Sequence, residues 1–235
     1  MKKLLTISFF LLICIVIQAQ TVTMPPYYGV QSSTFKCGIS TVKDYEGNVY
    51  NTVKIGNQCW LRENLKSTKL NDGTLIPNVT DYIAWTNITT FAYCWPNNDS
   101  TFGQGGLYNW YTVETGKLCP LGWHVPSYSE DSLLIAYLGG ESVAGGKLKE
   151  VGTTHWASPN TGATNESGYT AIPTFFRNYF GMWRGNNATW WTTTLSGTIY
   201  HWVMRVGYNS AAAGIYIDDE ACRANSGNTV RCLKD

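Results

Sequence analysis

The sequence predicts an α+β domain: two short helices set in a frame of short antiparallel strands and long loops. Three observations carry this. Ser127-Tyr-Ser-Glu130 has capping-box spacing, in which the serine hydroxyl accepts from the third helical N–H while the glutamate reaches back. After the turn signal Glu46-Gly47-Asn48, the stretch 49–55 alternates, with Val49, Val53 and Ile55 toward one face, and Gly56-Asn57 turns it into Cys59-Trp60-Leu61 as a hairpin. Beyond residue 150 the chain is Gly/Asn/Thr-rich, with apolar runs at 200–206, 214–217 and 229–233 that read as strands between long loops. Helices added to such a frame make an α+β domain.

The elements follow in order. Lys2 and Lys3 precede an apolar run from Leu4 to Ile17, too short for the roughly 20 residues of a membrane span. It closes on Ile17-Gln18-Ala19, so residues 1–19 read as a cleaved secretory signal. Cys14 suggests lipidation, but Ile13 before it is not the small residue such a site wants, so export without a lipid is preferred. Residues 20–36 are polar, contain Pro25-Pro26 and read as a linker. No break divides 37–235, which is taken as one domain. Asn71-Asp72-Gly73 marks a turn and 103–106 a loop. The first helix starts at Ser127, carries Leu133, Leu134, Tyr137 and Leu138 as its apolar stripe, and stops at Gly139-Gly140. A second helix over 144–150 contains Gly145-Gly146.

Composition narrows the function classes. Aromatics make up 14% of the chain, with 10 Trp and 15 Tyr, which excludes disorder. Lys+Arg 17 against Asp+Glu 16 leaves no basic excess for a nucleic-acid backbone. No other stretch could span a bilayer. An exported chain without its leader keeps Cys37, Cys59, Cys94, Cys119, Cys222 and Cys232, an even set that suggests disulfides. No pair has the C-x-x-C spacing of zinc or redox sites, and His124, His155 and His201 stand too far apart to read as a ligand cluster.

Seven motifs in order then carry a resemblance: 50–65 (through Cys59-Trp-Leu-Arg-Glu-Asn-Leu65), 106–110, 119–127 (Cys-Pro-Leu-Gly-Trp-His-Val-Pro-Ser), 145–150, 164–169, Trp190-Trp191 and 230–235. Over about 37–235 the chain resembles the Fibrobacter succinogenes major paralogous domain family. The resemblance implies an exported protein of the Bacteroidota or Fibrobacterota type, often a lipoprotein, of unknown activity. It also implies a C-type lectin-like fold, distantly similar to formylglycine-generating enzymes. In that fold a cysteine near the first helix is bridged to one in the last strand, which here implies a disulfide between Cys119 and Cys232. The pairing of Cys37, Cys59, Cys94 and Cys222 stays open. Two departures stand out. Asp131 occupies a position where the family usually has Trp, which predicts less apolar packing for the first helix, and Cys222 falls in a segment that varies widely.

The candidate ligand surface is built on aromatics. Trp183, Trp190 and Trp191 could stack on sugar rings, with Trp202 nearby in sequence, and Tyr169, Arg177, Asn186 and Asn187 could satisfy the hydroxyls. A loop-rich domain also uses Trp as core filler. For Trp190-Trp191 that is the preferred reading, with one ring in and one out as strand neighbours demand. Asn165 and Glu166 form a weak calcium candidate, for which Asp218, Asp219 and Glu220 would have to come from another loop; side-chain bonding within the loop is preferred. No nucleophile elbow or P-loop is present, and a formylglycine-type oxidase would need Cys222 and Cys232 as its reactive pair. The expectation is therefore a non-catalytic exported binding module of the envelope or cell surface for a glycan or an exposed protein, with no required cofactor. A structural or adhesive component without a small ligand is the alternative, and a cysteine-dependent oxidase the third.

Overall fold

The computed structural model describes residues 35–178, 180–197, 200–217 and 222–235. The expected leader at 1–19, the expected linker as far as residue 34, the Asp218-Asp219-Glu220 run and the Trp183 side chain lie outside the described residues.

Strand β1 (Val42–Lys43) pairs antiparallel with β2 (Val49–Tyr50). The turn between them is held by Asp44, whose carboxylate accepts from the Glu46 and Asn48 N–H groups and from the buried Tyr50 hydroxyl at 2.8 Å. The hairpin expected at Gly56 is present as β3 (Thr52–Ile55) and β4 (Gln58–Leu61). The alternation expected over 49–55 does not run through. Val49 is exposed and Tyr50 buried, and the strand breaks at Asn51, where the Glu63 carboxylate takes the backbone N–H at 2.8 Å.

Two one-turn helices escape a periodicity reading because a single turn has no period. One is α1 (Tyr82–Thr86), capped by the Asp81 carboxylate. The strands β5 (Tyr93–Cys94) and β6 (Leu107–Tyr108) follow and pair with each other. The second short helix is α2 (Trp110–Glu114), capped by the buried Asn109 amide.

After β7 (Trp123–His124) comes α3 (Tyr128–Tyr137). Its capping box is formed: the Ser127 N–H donates to Glu130 Oε2 at 2.8 Å, and the Glu130 N–H donates to Ser127 Oγ at 3.4 Å. The next helix, α4 (Glu141–Leu148), starts three residues before its expected position. Its two glycines are required by close packing, since a Cβ at Gly145 or Gly146 would run into the backbone of Ala212 or Gly162.

The hairpin β8 (Phe175–Asn178) and β9 (Gly181–Arg184) leads into a three-stranded antiparallel sheet, β10 (Asn187–Ser196), β11 (Tyr200–Gly207) and β12 (Ala213–Tyr216). The last strand, β13 (Leu233–Lys234), inserts between β4 and β7 to complete a four-stranded sheet in the order β3-β4-β13-β7. The extended run expected over 229–233 is only partly strand. Thr229 bridges Trp190, the Val230 carbonyl accepts from the Leu65 N–H, and the Cys232 carbonyl accepts from the Leu61 N–H. Four helices among small antiparallel sheets make the domain α+β, with twice the helices expected among the described residues.

Strand β10 partitions the interior. Trp190 and Trp191 point to opposite faces, as neighbours on a strand must, yet both are buried. Trp191 joins Tyr50, Leu61, Tyr108, Trp123 and the Cys119–Cys232 bridge in one core. Trp190 joins Trp60, Leu134, Leu148, Trp156 and Tyr169 in the other. The expectation of one ring in and one out fails because helices and loops cover the sheet on both sides.

Two disulfides close the frame. Cys119–Cys232 spans 113 residues with Cα atoms 6.0 Å apart, well within bonding geometry. It ties the segment before α3 to the last strand. Cys37–Cys59 anchors the start of the domain to β4. Cys94 and Cys222 remain buried thiols, and the Cys222 thiol donates to the Tyr216 carbonyl.

Candidate functional site

The site begins where the chain leaves β4. Leu61 is still in the sheet, and the next three residues turn away from it. Glu63 reaches back to Asn51, accepting from its N–H at 2.8 Å and its side-chain amide at 2.7 Å. Asn64 turns inward, and its Oδ1 becomes an acceptor hub. Trp190 Nε1 donates to it at 2.8 Å, Arg231 Nη2 at 2.6 Å and Arg231 Nε at 3.1 Å. Its own amide donates to the Gln104 carbonyl at 2.8 Å. Gly105, at φ +91°, permits this approach, since a Cβ there would sit 2.7 Å from the Asn64 Cβ.

Arg231 is almost completely buried, with 1% of its surface exposed. Its Nη1 donates to the Tyr169 carbonyl at 2.6 Å, and its guanidinium lies 4.2 Å from the Tyr169 ring centroid. Among the described residues no carboxylate lies within ion-pair distance of it. Burial pulls its pKa below the usual arginine range; Glu63 acts against that and the like charge of Arg62 adds to it.

These groups lie beneath and around a cavity of about 270 Å³, lined by Asn51, Arg62, Glu63, Asn64, Gly103, Thr170, Ile172 and Arg231. That is just under the roughly 300–1,000 Å³ of small-molecule sites, so it suits a single small polar group or ring. Thr170 on its wall has φ 56°, a left-handed conformation rare for a β-branched residue. Asn165 holds it there, its Oδ1 accepting from the Thr170 N–H at 2.9 Å and its amide donating to the Thr170 hydroxyl at 3.1 Å. Strain of this kind costs about 1–3 kcal/mol and clusters at functional sites.

The expected ligand residues are placed differently. Trp190, Trp191 and Tyr169 are buried, so none offers an open ring face. Trp191 Nε1 is occupied by the Tyr108 carbonyl at 2.7 Å. Arg177 is also buried, donating to the carbonyls of Val79, Thr80 and Asp81 and stacking 4.6 Å from the Trp85 ring. Asn187 is half-buried and Asn186 exposed. Of the expected set the structure brings Tyr169 and Trp190 together, edge to face at 5.6 Å with Arg231 against both. In the calcium candidate, Asn165 spends its oxygen on Thr170, while Glu166 faces Lys147 at 3.6 Å. Among the described residues no group of three His, Cys, Asp or Glu could hold a metal ion. The oxidase pair is not available as two thiols, because Cys232 is bonded to Cys119. Exposed aromatic surface lies elsewhere, where Tyr128 meets Trp202 edge to face at 5.0 Å.

Arg62, Glu63 and Arg231 were visible only as letters inside motifs. The signal that could have found the deepest of them is an arginine within the apolar run 229–233, which must be buried and therefore needs acceptors. Four of the seven motifs meet at this point: 50–65 gives the wall and Asn64, 164–169 gives Tyr169, Trp190-Trp191 gives the indole on Asn64, and 230–235 gives Arg231.

Fold and pocket together define a disulfide-closed α+β domain with a polar recess between the residues that flank the β3–β4 hairpin and those that lead into the last strand. The chain belongs to the Fibrobacter succinogenes major domain family, whose model matches residues 53–234. The match takes in Arg62, Thr170 and Arg231, and leaves Asn51 and Cys37 just outside. No curated protein and no solved structure is significantly similar to the chain.

Proposed function

We propose that this protein is an exported, non-catalytic binding module of the bacterial envelope or surface, of C-type lectin-like fold, whose ligand is a glycan seated in the pocket above Arg231. One observation carries the reading: a buried, acid-free arginine and a strained Thr170 are both maintained around one open polar recess. A buried charge costs desolvation and a left-handed β-branched residue costs strain, so both are expensive to keep. The amide, hydroxyl and charged groups of the rim supply donors and acceptors of the kind sugar hydroxyls need. Two disulfides fit an oxidising compartment, and no helix among the described residues is long and apolar enough to cross a membrane.

The rival reading, a structural or adhesive component without a small ligand, draws on the burial of Trp190 and Trp191, which removes the aromatic platform. A glycan array separates the two. Saturable, sugar-competed binding that is lost in Ile172→Trp, which fills the pocket from a half-buried wall position, supports the module. A blank array supports the structural component.

A further inference from the structure

We propose that the pocket selects sugars that carry a carboxylate, that is, uronate-type acidic glycans. This rests on the glycan-binding reading above and deepens it.

The argument is one of charge and unused donors. Arg231 has five N–H donors, of which Asn64 and the Tyr169 carbonyl engage three. The remaining two belong to its terminal nitrogens, and Arg231 is among the residues that line the pocket. Its charge meets no carboxylate within ion-pair distance among the described residues, so its field extends into the recess. Arg62 lines the same recess at its exposed mouth, and its guanidinium has no hydrogen-bond partner among the described residues. Two arginines lining one small cavity are a costly arrangement unless an anion visits it.

Glu63 decides which anion. Both its oxygens face Asn51, so it is fixed on the wall and leaves the pocket with one net positive charge. A single negative charge balances that; a doubly charged phosphate monoester would be repelled by Glu63. A carboxylate is also planar and matches the guanidinium fork with two parallel acceptors. The rim amides and the Thr170 hydroxyl are left for ring hydroxyls. A cavity of about 270 Å³ admits one such residue, at the end of a chain or protruding from it.

The experiment uses the secreted full chain and an array of uronate-containing oligosaccharides beside carboxyl-reduced copies of the same molecules and sulfated analogues. The proposal expects binding to the uronates, at least about tenfold weaker binding to the reduced copies, and competition by free glucuronate. Arg62→Gln, an exposed change that leaves the core intact, should weaken uronate binding about tenfold, whereas Glu63→Gln should tighten it. Raised salt should weaken it as well. Equal binding to uronates and reduced copies would overturn the carboxylate while leaving a glycan module standing. Preference for the sulfated analogues would overturn it in favour of sulfate esters. Uronate binding that is indifferent to both Arg62→Gln and Glu63→Gln would move the ligand out of this pocket. No binding to any glycan would remove both readings at once.

Discussion

Replacing Asp131 by leucine should make this domain more stable. Asp131 sits in the first turn of α3, fully buried, and neither carboxyl oxygen has a hydrogen-bond partner among the described residues. Burial pushes its pKa well above the usual carboxylate range, and the neighbouring Glu130 charge pushes in the same direction. An unsatisfied buried polar group costs about 1–3 kcal/mol, which Asp131→Leu recovers. For a domain of this size, that raises Tm by roughly 2–4 °C per kcal/mol. The pH dependence identifies the cause. A carboxyl whose folded pKa is raised above its unfolded value of about 3.9 supports the fold fully below that value, and the support is lost as pH rises toward the folded pKa. The advantage of Asp131→Leu over the native chain should therefore be smallest near pH 4 and grow toward neutrality. Asp131→Asn, nearly the same shape but without a titration, should flatten the pH dependence with a smaller gain. Urea unfolding of all three proteins at several pH values measures this. An Asp131→Leu protein that unfolds at lower urea throughout, or a stability difference that does not change with pH, would refute the account.

His201 should act in the opposite direction. It is buried, stacked on Trp110 at 3.8 Å, and burial lowers its pKa to about 4. Because the unfolded chain binds this proton first, stability should fall by up to about 3 kcal/mol as pH drops from the unfolded histidine value toward 4, and His201→Phe should remove that slope in the same urea series. Opening Cys119–Cys232 by Cys232→Ser should cost about 2–5 kcal/mol; peptide mapping without reduction should recover this pair and Cys37–Cys59, and any other linkage would contradict the fold. The buried Lys149 ammonium donates to the carbonyls of Thr161, Gly207 and Ser210 at 2.8–2.9 Å. Lys149→Met should leave those carbonyls without their donor and cost about 2–4 kcal/mol, read as a lower urea midpoint with an unchanged m-value.

What the sequence disclosed followed from how local each signal was. The capping box at Ser127 and the turn at Gly56 are settled within four residues, and both elements stand where their residues put them. Cys119–Cys232 joins points 113 residues apart and was reached only through resemblance, because spacing says nothing about such a closure. Val49 misled because the local alternation was real while its interruption at Asn51 came from Glu63, twelve residues on. Trp190 and Trp191 were correctly assigned to opposite faces, but whether a second face is covered depends on distant helices and loops. The pocket was the least legible part: each of its residues is ordinary in sequence, and its chemistry exists only once Arg231 is drawn beneath Asn64 from the far end of the domain. Asp131 reads in sequence as missing apolar area; in the fold its larger consequence is a buried carboxyl without hydrogen-bond partners among the described residues.

The placement of β13 between β4 and β7 also sets an order of assembly in time. The sheet opens at Thr52 but has a gap at its centre until Leu233 arrives, and one sulfur of the longer disulfide arrives only with Cys232. No amino-terminal part of this domain can close its sheet while the rest is still being made. Both Asn64 and its partner Arg231 must be present before the pocket floor exists, so a chain caught short before Arg231 would lack the pocket altogether. Such long-range closure makes folding slow compared with a helical bundle of equal size, and it means that a formed pocket certifies a domain closed through its last strand.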